Sequence, residues 1–106
     1  MKQRTLAKSV SATGVGLHSG ERVRLTLHPA AENAGISFRR TDLSGDAGAP
    51  IALNPYLIND TRLSSTIVTE HGTRVGTIEH IMSALAAYGI DNVAIELNAP
   101  EIPIMD

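Results

Sequence analysis

The sequence predicts an α+β domain, a two-layer sandwich in which a mainly antiparallel sheet packs against helical structure. Three observations predict this class. Short segments with alternating apolar residues fill the first half, only the segment from Thr77 to Tyr88 has convincing helical periodicity, and a further alternating segment follows that helix directly. A length of 106 residues corresponds to one compact domain.

The first half is predicted to be strands joined by polar loops. The segment "ERVRLTLHP" places Val23, Leu25 and Leu27 on one face and polar side chains on the other, and it ends at Pro29. "GISFRR" repeats this alternation more briefly, and "RTLAKSV" is a weaker strand candidate. The glycine-rich "GVGLHSGE" is predicted to be a loop, and residues 42–55 a surface loop or insertion.

The second half is predicted to contain a hairpin, a helix and a returning strand. The hairpin arms are residues 65–68 and 74–75, with "TEHGT" as the turn. The helix has Gly76 or Thr77 as its N-cap and Gly89 as its left-handed C-terminal residue. Its core stripe is predicted to be Ile78, Ile81, Met82, Leu85 and Tyr88. "DNVAIELN" then returns as a strand with Val93, Ile95 and Leu97 directed inward.

Composition excludes several classes of protein. A formal net charge of -2 and a pI near 6.0 disfavour a nucleic-acid-binding protein, which usually has a basic face. The absence of cysteine excludes disulfides and thiolate zinc sites, and it permits the cytoplasm without requiring it. The N-terminus lacks the apolar region of a signal peptide, and no apolar run approaches the ~20 residues of a membrane span.

The segment "GTIEHIMSALAAYGIDN" contains the candidate catalytic residues. Glu79 and His80 are adjacent in the first turn of the predicted helix, where successive side chains point about 100° apart. A neutral imidazole is a common zinc ligand, and a carboxylate beside the metal can accept a proton from bound water. The positions above the pair carry small side chains and leave room for a ligand or a neighbouring backbone: Ser83, Ala84, Ala86 and Ala87.

Residue types alone also support a structural interpretation of this pair. A glutamate in the first helical turn interacts favourably with the helix dipole, and with Gly76 as the N-cap Glu79 would occupy the capping-box position. His80 could then be an ordinary surface residue. The other histidines, His18, His28 and His71, are predicted to lie in a loop, on an outward strand position and at a turn tip. None has metal-ligand spacing with His80, so this chain alone does not supply a closed zinc site.

The chain resembles the N-terminal domain of the UDP-3-O-acyl-N-acetylglucosamine deacetylase family, the zinc amidases of lipid A biosynthesis in Gram-negative bacteria. The resemblance depends on motifs that occur in the family's order over essentially the whole chain: "KQRTL", "ATGVGLHSG", "RRTDL", "TIEH", "GIDN" and "APEIPIMD". Each motif is weak singly, but together they are highly specific.

The resemblance implies a fold, a reaction and a partial site. The implied fold is that of ribosomal protein S5 domain 2, with residues 1–106 as the N-terminal domain and a second catalytic domain absent from this chain. The implied cytoplasmic enzyme hydrolyses the acetamide of its UDP-sugar substrate and releases acetate. His80 matches the first of the family's zinc ligands and Glu79 its general base, whereas the other ligands belong to the absent domain.

The resemblance implies further site residues less firmly. His18 in "GLHSG" matches a histidine near the site, with a locally bonded loop residue as the alternative. Leu63 and Ser64 match a segment that borders the acyl-chain entrance, with edge packing as the alternative. Asp106 closes the shared "IMD" string and either orients the site or forms a structural turn.

With an incomplete Zn²⁺ site, we expect the isolated chain to be nearly inactive and to bind zinc weakly. A different hypothesis is a non-catalytic module that binds a nucleotide-sugar or another protein. An RNA-binding protein is a third hypothesis, because the fold also occurs among ribosomal proteins, but the net charge argues against it. The apolar residues of "APEIPIMD" either dock on the core, favour self-association or mark a truncated chain.

Overall fold

The computed structural model of the chain describes residues 2–53, 58–60 and 65–104. The α-helix among the described residues lies between the last two strands, and a single turn of 3-10 helix spans Gly45–Gly48. The elements are β1 (Val10–Val15), β2 (Arg22–Pro29), β3 (Ile36–Arg40), β4 (Ile51–Ala52), β5 (Ile58–Asp60), β6 (Ser65–Val68), β7 (Arg74–Val75), α1 (Glu79–Tyr88) and β8 (Val93–Leu97).

The strands form two sheets. The larger sheet has the order β1-β2-β8-β3-β4, and the smaller has the order β5-β6-β7. Among the strands that the structure describes, the pairings are antiparallel except that of β3 with β8, which is parallel. The α+β class with a mainly antiparallel sheet is therefore confirmed, with one α-helix among the described residues.

Apolar residues from both sheets and from α1 form one core. The sheet register places Leu27 opposite Ile95 and Ile95 opposite Phe38, so the inward positions of three strands share a face. Each fully buried aliphatic side chain contributes about 1.5–3 kcal/mol to stability. The core consists of Val23, Leu25, Phe38, Ile51, Ile67, Val75, Ile78, Ile81, Leu85, Val93, Ile95, Leu97, Ala99 and Ile102.

The first strand lies later than predicted. The weak strand prediction over "RTLAKSV" is wrong, because β1 begins only at its last residue, Val10, and runs into the predicted glycine loop as far as Val15. The backbone carbonyl of Arg4 instead accepts hydrogen bonds from the N–H groups of Asp91 and Asn92, at 2.9 and 3.1 Å. The N-terminal segment therefore lies against the connection between α1 and β8. β1 was not predicted because it is mostly exposed, and an exposed strand does not need the apolar alternation that marks a half-buried one.

The surface loop predicted over residues 42–55 contains regular structure up to residue 53, and residues 54 and 55 lie outside the described residues. Residues 42–53 contain the 3-10 turn and β4, and Ile51 is buried opposite Phe38. The short strand was not predicted because only one of its two residues faces the core.

The predicted hairpin and the returning strand β8 are confirmed. Strands β6 and β7 pair as predicted, and Val93, Ile95 and Leu97 are buried. The apolar C-terminal segment is docked in part, because Ile102 is buried, whereas Ile104 is 47% exposed.

Helix α1 begins two residues later than predicted. Its N-cap is Ile78 and has no side-chain capping bond, so the predicted caps Gly76 and Thr77 and the capping-box position of Glu79 are wrong. Tyr88 is 77% exposed and is not a core residue, but Gly89 ends the helix in the left-handed conformation as predicted, with φ of 69°.

With ten residues, α1 is too short to cross a membrane, and no described helix is long and apolar enough to do so.

Candidate active site

The turn that leads into α1 is fixed by backbone hydrogen bonds on both sides. The N–H of Gly76 donates to the carbonyl of Pro100 at 2.7 Å, and the N–H of Ile102 donates to the carbonyl of Gly76 at 2.9 Å. The N–H of Ile78 then donates to the carbonyl of Ser65 at 3.1 Å. Between these contacts Thr77 has a φ of 59°, a left-handed conformation that is uncommon for a β-branched residue. This turn sets the direction in which α1 starts.

Glu79 is the first residue of α1 and is half-buried. Its Oε2 accepts a hydrogen bond from the N–H of Ser65 at 3.0 Å. Because the carbonyl of Ser65 also receives the N–H of Ile78, β6 holds the start of α1 through two contacts. The carboxylate is thus anchored by the neighbouring strand and lies at the positive end of the helix dipole.

His80 is exposed, and it forms no hydrogen bond or ion pair with another described residue. It lines a cavity of about 440 Å³ between α1 and the C-terminal segment. The rest of the lining is mostly apolar: Leu25, Thr77, Ile81, Ala84, Ile102, Pro103 and Ile104. The imidazole is therefore free to bind a ligand at an open surface.

The outer face of α1 carries small side chains next to this pair. Ser83, Ala84, Ala86 and Ala87 are all exposed. Glu79 is half-buried and His80 is exposed, so neither is a buried residue, and the small residues predicted to surround an open sector lie on the surface.

His18 lies in a tight loop that a buried carboxylate holds in place. The N–H of Gly16 donates to the carbonyl of Glu21 and the N–H of Gly20 to that of Gly16, both at 2.9 Å. Glu101, which is 5% exposed, accepts the backbone N–H of His18 at 3.1 Å and that of Ser19 at 3.0 Å. The imidazole of His18 is exposed.

The charge on Glu101 is stabilised by these loop contacts. Burial alone would raise the pKa of the Glu101 carboxyl, but hydrogen bonds from the backbone and side chain of Ser19 and the backbone of His18 outweigh it, and the pKa is lowered. Sequence analysis missed Glu101. Its only signal is an acidic residue in the apolar "APEIPIMD" segment, where an unpaired charge would be costly.

The described residues can supply part of a zinc site. His80 presents an accessible nitrogen, but residues 2–53, 58–60 and 65–104 contain no group of three potential ligands from His, Cys, Asp and Glu. A catalytic zinc usually needs three protein ligands. His28 is bonded to Ser9 and Glu96, and His71 lies 3.6 Å from Glu70, so neither joins His80. The described residues therefore offer one zinc ligand, His80, and do not form a closed three-ligand site.

Three predicted site residues cannot be placed. Leu63, Ser64 and Asp106 lie outside the described residues.

Comparison with known proteins shows the family of the chain. The family model of LpxC, UDP-3-O-acyl N-acetylglycosamine deacetylase, matches residues 3–106. The chain belongs to this family. The match covers the loop of His18 as well as the Glu79–His80 pair, so the resemblance to the deacetylase family is confirmed from residue 3 onward.

Individual relatives carry the same name. The UDP-3-O-acyl-N-acetylglucosamine deacetylases of Neisseria gonorrhoeae and Neisseria meningitidis serogroup C are each 82% identical to the chain over 106 residues. That of Chromobacterium violaceum is 64% identical over 104 residues, or 98% of the chain. In each case the match covers 34% of the relative, so the chain spans about a third of the length of these deacetylases.

Proposed function

We propose that residues 1–106 form the N-terminal domain of a zinc-dependent UDP-3-O-acyl-N-acetylglucosamine deacetylase that acts in lipid A biosynthesis in the cytoplasm. A second catalytic domain would follow it, and the domain would have the fold of ribosomal protein S5 domain 2. The observation that carries the proposal is the adjacency of Glu79 and His80 at the open start of α1, in a chain of the deacetylase family.

Glu79 is proposed as the general base. Water adds to the carbonyl carbon of the 2-acetamido group while the Glu79 carboxylate accepts a proton from it. The proton held by Glu79 then passes to the nitrogen as the carbon–nitrogen bond breaks, which gives the free amine and acetic acid, and the acetic acid ionises to acetate. The hydrogen bond from the Ser65 N–H restrains the Glu79 side chain, so its carboxylate is held in one position.

His80 is proposed as one zinc ligand, and the remaining ligands would come from the second domain. Its exposed imidazole and its place on the cavity wall support this role. When bound, zinc would lower the pKa of a coordinated water toward ~7 and polarise the amide carbonyl. His18, Leu63 and Ser64 are proposed to contact the substrate and Asp106 to orient the site.

The test is a completed enzyme, in which residues 1–106 are joined to the remaining two-thirds of the Neisseria gonorrhoeae relative. We expect it to release acetate from UDP-3-O-acyl-N-acetylglucosamine. Replacing a general base typically removes about 10²–10⁴-fold of the rate, so Glu79→Gln should lower kcat by at least 10²-fold with zinc retained. His80→Ala should lower the zinc content measured by atomic absorption.

The turn between β6 and β7 offers matched controls, because Glu70 and His71 are also adjacent and exposed. Glu70→Gln and His71→Ala should leave acetate release and zinc content unchanged. Full activity of the Glu79→Gln enzyme, or full zinc content of the His80→Ala enzyme, would contradict the proposed roles.

A second candidate function is a non-catalytic module that binds a nucleotide-sugar or a protein. The exposed small-residue face of α1 favours it, because such a face permits close approach of a partner. The discriminating measurement is titration calorimetry of the isolated chain with UDP-N-acetylglucosamine. Binding that persists in Glu79→Gln and His80→Ala, combined with an inactive completed enzyme, would favour the module.

A further inference from the structure

Glu101 is the one charged residue among the buried side chains of the described chain. A buried carboxylate is costly unless hydrogen bonds replace its hydration. Both Glu101 oxygens approach the N–H of His18, at 3.1 and 3.3 Å, and one also accepts the N–H of Ser19 at 3.0 Å. Two successive backbone N–H groups form a concave anion site, and an ionised acceptor makes such bonds stronger than a neutral one would.

The loop is built around this carboxylate. A Cβ added at Gly16 would overlap Oε1 of Glu101 and would lie 2.5 Å from Oγ of Ser19. Gly16 is itself buried, and its backbone closes the loop through Glu21 and Gly20. Only a residue without a side chain leaves the space that the Glu101 carboxylate fills.

The backbone of Glu101 is bound to the segment that leads into α1. Gly76 and Glu101 form a parallel bridge, made by the hydrogen bonds of Gly76 with Pro100 and Ile102. Gly76 precedes Glu79 by three residues. Ile104 lines the cavity of His80 and also a second cavity of about 640 Å³ against Gly16 and Leu17. Glu101 therefore links the His18 loop to the start of α1.

We propose that Glu101 is a positioning residue for the deacetylase reaction, because its carboxylate holds the His18 loop in a fixed place relative to Glu79 and His80. This inference rests on the proposed function. Glu101 touches no reacting group and acts through His18. A displacement of about 1 Å in a reacting group can cost up to 10²-fold in rate, so loss of the carboxylate should be visible in kcat.

The first experiment uses the 106-residue chain itself. Glu101→Gln removes the charge that strengthens these hydrogen bonds and leaves one acceptor oxygen, so we expect the amide hydrogens of His18 and Ser19 to exchange at least tenfold faster by NMR. Gly16→Ala should have the same effect with the carboxylate intact, because the added methyl group displaces it. Unchanged exchange in both variants would overturn the proposal.

The second experiment is a double-mutant cycle in the completed enzyme. We expect Glu101→Gln to lower kcat about tenfold with KM within about twofold, and the Glu101→Gln/His18→Ala double variant to be no slower than His18→Ala alone. Independent, multiplying losses would overturn the proposal, because they would mean that Glu101 does not act through His18.

Glu96 provides the matched control. It is a partly buried glutamate with its own hydrogen bonds, to His28 and Arg39, on another part of the sheet. Glu96→Gln should lower the thermal midpoint without lowering kcat.

An inactive completed enzyme with the native sequence would contradict the proposed function, whereas an active enzyme whose kcat is unchanged by Glu101→Gln would contradict only this inference.

Discussion

Thr77 is the residue whose conformation is hardest to reconcile with local preference. It is β-branched, 3% exposed and left-handed, and its Oγ1 is buried without a hydrogen-bond partner among the described residues. A backbone in this region costs about 1–3 kcal/mol. The hydrogen bonds of Gly76 and Ile78 hold it there, so the strain is offset by the contacts that place Glu79 and His80.

We expect Thr77→Val to raise the free energy of unfolding of the chain by about 1 kcal/mol, measured as the urea midpoint followed by circular dichroism. Valine keeps the branched shape and removes the unpaired hydroxyl. Thr77→Ser, which keeps the hydroxyl and loses the methyl group, should show no gain. A lower midpoint for Thr77→Val would mean that the hydroxyl has a partner.

Two carboxylates make stability sensitive to acid. The hydrogen bond of His28 to Glu96 is the largest influence on the pKa of that carboxyl, and with Arg39 it outweighs desolvation and lowers the pKa. The pKa of Glu101 is lowered as well. Because each folded-state pKa lies below the ordinary value of 4.5, their stabilisation is fully present above pH 4.5 and is lost as the pH falls through the folded-state values.

The urea midpoint of the chain should therefore fall as the pH decreases below 4.5. In a Glu96→Gln/Glu101→Gln variant the midpoint at neutral pH should be lower but its acid dependence weaker. An equally steep acid dependence in the variant would show that other groups control it.

At the scale of elements, α1 carries the proposed site, and the positions of its two ends have different causes. The C-terminal end is fixed by residues close in sequence. Gly89 is left-handed and its N–H donates to the carbonyl of Ala86, and the N–H of Ile90 donates to the carbonyl of Leu85. The N-terminal end is set by Ser65 and by the bridge of Gly76 with Glu101. The proposed catalytic pair, Glu79 and His80, lies at the end that depends on other elements.

Gly89→Ala should lower the free energy of unfolding by about 1–2 kcal/mol, because an L-residue is strained in the left-handed region. The measurement is thermal unfolding followed by circular dichroism. Gly89→Asn should lose less, since asparagine tolerates this conformation better. Equal stability of Gly89→Ala and the native chain would mean that the helix end rearranges freely.

At the scale of the whole molecule, one core joins both sheets, whereas the proposed site is open. The described residues supply His80 to the proposed zinc site and contain no group of three potential ligands. The relatives are about three times longer than the chain. In the proposed enzyme this domain would present Glu79 and His80 at its surface, and the second domain would supply the remaining zinc ligands.

We expect the isolated chain to retain much less than one zinc ion per monomer after dialysis and to release no acetate, because one imidazole cannot hold the metal against water. Atomic absorption with the oligomeric state measured by light scattering checks this. One tightly held zinc in a monomeric chain would contradict it. The completed enzyme, dialysed in parallel, should retain one ion.

Residues with strong local periodicity were predictable. Strand β2 with Leu25, the hairpin of β6 and β7, and β8 with Ile95 were all predicted because their alternation is visible without any partner. β1 and β4 were not, because an exposed edge strand and a two-residue strand carry too little alternation. Tyr88 follows the helical stripe but is exposed, and only tertiary packing decides that.

The sequence by itself determined the α+β class, the helix with its glycine end, and the adjacency of Glu79 and His80 within a family motif, because each depends on residues close together along the chain. Tertiary structure alone decided where α1 begins, which residue is strained, and which carboxylate holds His18. Glu101 lies 83 positions from His18, and its contact depends on a bridge to Gly76 that no local pattern encodes. A buried charge is stable only where distant backbone groups converge on it, so the fold had to be known first.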